Sequence, residues 1–170
     1  MKLVLWLGLA ALLQAPAQTP AQIKAAAFDI MRAARYCTLI TNGGDGQPQA
    51  RMVDPLIAED EGAIWIATNP LTRKVTEIKR DARVTLMFFN AAEGEYVTVF
   101  AKAAIVTDAS RRAAHWKTEW QPFYKGGVNG DVTLFEVKPF RLEVSSQRHG
   151  LNNDPKTWRP VILDLGARKP

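Results

Sequence analysis

The chain is predicted to fold as a mainly β protein with added helices (α+β), built on a six-stranded antiparallel barrel. Two observations carry this. Short apolar runs rich in β-formers follow one another through Gly-, Asn- and Asp-bearing turns. Helical patterns are few and do not alternate with the strands, so a parallel βαβ sheet is not expected. A third observation sets the size: after an N-terminal leader about 150 residues remain, which suits one domain with one core.

The leader is read from Met1-Lys2, the apolar run Leu3 to Leu13, and the small-residue site Ala15-Pro16-Ala17. The run is too short to span a bilayer. Residues 1–17 are expected to be a signal peptide, giving an exported, periplasmic or secreted domain over 18–170 with no stable membrane anchor. The alternative is an uncleaved anchor.

Residues 18–35 are Ala-rich. Ile23, Ala27, Ile30, Met31 and Ala34 share one face, which predicts an amphipathic first helix. A strand over 36–41 meets the Asn42-Gly-Gly-Asp-Gly46 turn, and 49–58 is the returning strand. Residues 63–68 form the third strand, with a helix over 72–81 after it. Strands over 83–90 and 95–107 follow, Glu93 and Glu95 being read as turn residues. Asp108 caps a helix to about Trp120. The last strand is 132–145, interrupted at Pro139. No internal repeat is present.

The net charge is +5, from 22 Lys and Arg against 17 Asp and Glu. The cations are dispersed, without the basic stripe or reading motif of a nucleic-acid binder. Cys37 is the single cysteine, so no internal disulfide forms, and its apolar surroundings read as a buried small side chain. His115 and His149 have no second His or Cys at metal-ligand spacing, and no metal site is expected. Nucleophile elbows, Walker loops and dinucleotide glycine patterns are absent. No catalytic residue can be named, and chemistry is better assigned to a bound cofactor.

One segment stands out. Thr68-Asn-Pro-Leu-Thr-Arg-Lys74 joins a strand to a helix, with Asn69-Pro70 or Thr72 as the helix entry. Either choice puts Arg73 and Lys74 at the positive end of the helix dipole, where a cation costs roughly 0.3–1 kcal/mol. An anion there, most simply a phosphate, would relieve this. A solvated Arg-Lys pair is the plainer reading.

The order of motifs is informative. Arg51-Met52-Val53 lies on the second strand, and Thr68-Asn69 with Arg73-Lys74 follows one hairpin later. The strands Arg83-Val-Thr-Leu-Met-Phe88 and Tyr96-Val-Thr-Val-Phe-Ala-Lys-Ala103 come next. Over residues 23 to 145 the chain resembles the pyridoxamine 5′-phosphate oxidase-like family of FMN-binding split barrels, and is similar to its general stress protein branch. The resemblance implies an FMN-dependent oxidoreductase of unknown substrate, a homodimer with FMN at the subunit interface. It implies that Arg51, Arg73 and Lys74 hold the phosphate and its neighbourhood. Met52 and Val53 would present backbone groups to the ring, Thr68 its hydroxyl to the ring or ribityl chain, and Tyr96 a contact near the ring. Residues 116–127, carrying Trp116, Trp120, Phe123 and Tyr124, would help cover the flavin edge from the partner subunit, or else simply pack between helix and barrel. Two departures weigh against pyridoxamine phosphate as substrate: Ser145 follows Arg141-Leu-Glu-Val144 where the oxidase has Trp, and Arg148-His149 only partly matches its substrate-binding end. The alternatives are a non-catalytic flavin-binding or stress protein, or a split barrel that binds deazaflavin or haem.

Overall fold

In the computed structural model, residues 18–60 and 62–166 are described; the predicted leader lies outside them. Helix α1 (Pro20–Ala34) begins with a capping box, in which the Thr19 hydroxyl accepts from the Gln22 amide and the Gln22 side chain accepts from the Thr19 amide. Its inner face buries Ile23, Ala27, Phe28, Ile30 and Met31.

Among the described residues the sheet has eight strands rather than six: β1 (Cys37–Asn42), β2 (Pro48–Val53), β3 (Pro55–Ala58), β4 (Ala63–Thr68), β5 (Arg83–Asn90), β6 (Glu95–Ile105), β7 (Thr133–Ser145) and β8 (Val161–Asp164). All pairings are antiparallel, in the order β2-β1-β5-β6-β7-β4-β3, with β8 added to β7. The returning strand expected over 49–58 is two strands. They break at Asp54, so that β2 pairs with β1 and β3 pairs with β4. The two ends of the strand order are therefore joined by one residue. The sheet must curl until its ends meet there, which closes the barrel without a β2–β3 ladder.

Alternation fills the barrel. Leu39, Val84, Leu86, Phe88, Val97, Val99, Leu142 and Val144 point inward onto Ile64, Ile66 and the inner face of α1. A second cluster lies on the other side of β4, where Ala63 and Trp65 meet Val106, Trp120 and Leu134. The helix expected from Asp108 to Trp120 is shorter. Helix α3 (Ala109–Ala114) ends at His115, and a 3-10 turn (Thr118–Phe123) carries the chain on. Pro139 does not end β7. The register shifts between Phe100 and Ala101, so Phe140 bulges out of the ladder and the missing proline N–H falls at an irregularity.

Candidate functional site

Helix α2 (Arg73–Arg80) starts at Arg73, with Thr72 as N-cap. Asn69 instead makes an Asx turn, its Oδ1 accepting from the Leu71 amide at 2.8 Å. The Thr72 side chain does not cap the helix amides. Its hydroxyl donates to the Asn69 carbonyl at 2.8 Å and meets the Thr68 hydroxyl at 3.1 Å. Thr68 must then donate to Thr72, which leaves its lone pairs for the Lys74 ammonium at 2.9 Å.

Arg51 reaches the same region from β2. It alternates inward while Met52 turns outward. Its Nη1 donates to Thr41 Oγ1 at 2.5 Å, and its Nη2 to Glu77 Oε2 at 2.7 Å. The Thr41 hydroxyl in turn donates to Glu77 Oε2 at 2.6 Å. Arg73 Nε takes the other Glu77 oxygen at 2.9 Å. Glu77 is thus a buried carboxylate shared by two guanidiniums. Burial alone would raise its pKa; hydrogen bonds from Thr41 and Arg51 and the charges of Arg51 and Arg73 outweigh this and hold it below the usual range. Burial and then the Arg51 charge lower the pKa of Lys74, with Glu77 opposing. Among the described residues no carboxylate lies within ion-pair distance of the Lys74 ammonium.

Arg51, Thr68, Arg73 and Lys74 therefore converge. Three cations stand against one carboxylate, beside the first turn of a helix whose N-cap side chain leaves the amides uncapped. Surplus charge of this kind fits a phosphate-bearing group. Glu77 was missed by sequence reasoning, which treated Arg73-Lys74 as facing either solvent or a ligand. The available signal was its i,i+4 spacing from Arg73.

The remaining predicted residues lie elsewhere. Val53 packs against the barrel core beside Cys37. Met52 is 65% exposed on the outer face. It aligns across β1 and β5 with Thr38 and Met87, and Thr38 Oγ1 lies 3.4 Å from its sulfur. Tyr96 also faces outward, on β6, three strands from Met52 and so about 14 Å across the sheet. The chain does not bring it to the cation cluster. The outer face continues into a groove of about 1210 Å³ between Ile40, Thr85, Phe100, Lys102, Pro139 and Phe140.

The aromatic segment is fastened to its own barrel. Trp120 Nε1 donates to the Asp54 carbonyl at 3.0 Å, Tyr124 to the Ala67 carbonyl at 3.0 Å, and Lys117 to Asp54 Oδ1 at 2.5 Å. Trp116 sits edge-on to both rings. Packing thus takes Trp116, Trp120 and Tyr124, and leaves Phe123 79% exposed. His115 stacks on Trp65 at 3.7 Å and His149 contacts Asp29. Cys37 is buried, and burial followed by the Asp54 charge pushes its thiol far above the usual range, so it stays protonated.

Fold and site define a split-barrel protein with a cluster of three cations around one buried carboxylate. The family model of pyridoxamine 5′-phosphate oxidase matches residues 23–146, and the chain belongs to that family. A protein from Clostridium acetobutylicum related to general stress protein 26 of B. subtilis superposes with a TM-score of 0.69 at 16% identity, covering 85% of this chain and 94% of that one. General stress protein 26 of Bacillus anthracis str. Sterne gives 0.67 at 16% identity, covering 85% and 99%. A NimC/NimA family protein of Clostridium acetobutylicum gives 0.62 at 15% identity, covering 84% and 93%. At these identities the likeness shows the fold. A comparison with curated proteins finds no match.

Proposed function

We propose that this chain is an FMN-binding flavoprotein that transfers electrons to or from a small molecule. The observation that carries it is the convergence of Arg51, Lys74, Thr68 and Arg73 around the start of α2. A phosphomonoester brings about −1.5 to −2 charges at neutral pH, close to the surplus of three cations over Glu77. Arg51 and Lys74 would anchor the phosphate and the Thr68 hydroxyl would orient the neighbouring chain. The β2 backbone at Met52 and Val53 would face the ring. Bound FMN would supply the redox chemistry; the chain positions it and limits water.

The outer face supports a homodimer. Met52, Met87 and Phe89 are exposed there, at 65, 41 and 55%. They adjoin the groove at Ile40 and Phe100, and a second subunit would cover them and close the ring site. The leader extends the reading to a protein acting outside the cytoplasm, with a mature chain beginning near Gln18.

Titration with FMN and riboflavin tests the phosphate role. The wild type is expected to prefer FMN. Changing Arg73 and Lys74 together to Gln removes charge-assisted bonds worth roughly 1.5–3 kcal/mol each, so FMN affinity falls on the order of a hundredfold or more while riboflavin affinity holds. Equal losses for both flavins, or none, would sink this reading.

A further inference from the structure

We propose that Glu77 sets the charge the site accepts, matching it to a ligand with one phosphate rather than two. The inference rests on the phosphate reading above and concerns a residue that enters that reading only in the count of charge.

Glu77 sits on the inner face of α2, 3% exposed. Two guanidiniums from different elements reach it, Arg51 from β2 and Arg73 from the first turn of α2. A buried carboxylate is costly, and a site built only to attract anions gains nothing from one. Here it does two things. It anchors Arg51 together with Thr41, so the guanidinium keeps its direction before any ligand arrives. It also takes one charge from the cluster. Arg51, Arg73 and Lys74 less Glu77 leave a surplus of two positive charges, near that of one dianionic phosphate. A diphosphate would exceed the surplus and face the Glu77 carboxylate unneutralised.

Glu77 is thus a specificity-determining residue, and variants that move the surplus in opposite directions test it. Glu77→Gln keeps the shape and raises the surplus by one. Arg73→Gln lowers it by one, and because Arg73 is 67% exposed its loss leaves the fold in place. Calorimetric titration of wild type and both variants with inorganic phosphate and with pyrophosphate at pH 8 gives the preference between the two anions. In Glu77→Gln the preference is expected to move toward pyrophosphate by about tenfold. In Arg73→Gln it moves toward phosphate. If Glu77→Gln fails to fold, the direction of the Arg73→Gln shift decides.

An unchanged preference, or shifts in the same direction, overturns the role of Glu77. If the wild type still prefers FMN to riboflavin in that case, the phosphate site stands and only the charge-setting role falls. A wild type with no preference for FMN overturns both.

Discussion

Glu95 shows how one buried residue shapes the acid stability of the domain. It opens β6 fully buried, with Arg148 Nη2 at 2.9 Å, Ser146 Oγ at 2.6 Å and Asn90 Nδ2 at 2.9 Å around its carboxylate. Burial would raise its pKa; these bonds and the Arg148 charge outweigh it and bring it down to about 2. A carboxylate depressed in the folded state stabilises above its unfolded pKa of about 4.3 and loses this as pH falls through the folded value. Glu95→Gln is therefore expected to melt below wild type near neutral pH, with the gap closing between about pH 4.5 and pH 2. Thermal melts across that range check it; a constant gap would remove Glu95 from the acid response. The sequence read Glu95 together with Glu93 as a turn pair. Only Glu93 is exposed in the turn. Two of the three partners of Glu95, Ser146 and Arg148, come from 51 and 53 residues further on, beyond any local pattern.

The two longer helices begin on threonine with different consequences. Thr19 closes a capping box, so Thr19→Ala is expected to cost about 1 kcal/mol. Thr72 caps no amide and gives its proton to a carbonyl outside the helix, so Thr72→Ala should cost less. Urea unfolding of the two variants compares them, and equal losses would contradict the difference in capping. Most elements were legible because alternation and helical periodicity are local. The inward set of β5, Val84, Leu86 and Phe88, can be read directly from the letters. The break at Asp54 was hidden inside a run that alternates on both sides of it, although Asp54-Pro55 is itself a turn signal. Strand β8 was missed because four residues in a polar tail gain their meaning only from β7. Of the site, the cations were legible as a motif. Their shared carboxylate and the hydroxyl chain through Thr68 and Thr72 depend on side-chain geometry that spacing does not reveal.

At the scale of the whole molecule, the outward face of β2, β1 and β5 is where a dimer would form. Placing a charge in its middle, Met87→Glu, is expected to give a monomer by sedimentation and to weaken FMN binding, while the barrel stays folded because Met87 lies outside the core. A dimer that survives this change would move the interface elsewhere. The placement of Tyr96 belongs to this scale too. Within one subunit it is remote from the cations, so a role at the ring requires the second subunit to bring it there. The junction at Asp54 has a wider consequence. Because β2 and β3 are one residue apart in the chain and terminal in the strand order, the barrel has a covalent seam where another sheet would have two free edges. Neither edge can slide by a residue without dragging the other, since a slip on one side reverses which side chains face inward on both. The seam also carries the Trp120 and Lys117 contacts, so the aromatic segment is moored at the one point where the ring cannot shift. A circle of strands fastened in this way would act as a collar, and a ligand held at its rim, by Arg51 just before the seam and by Thr68 at the end of β4, would be gripped by two parts of the same hoop.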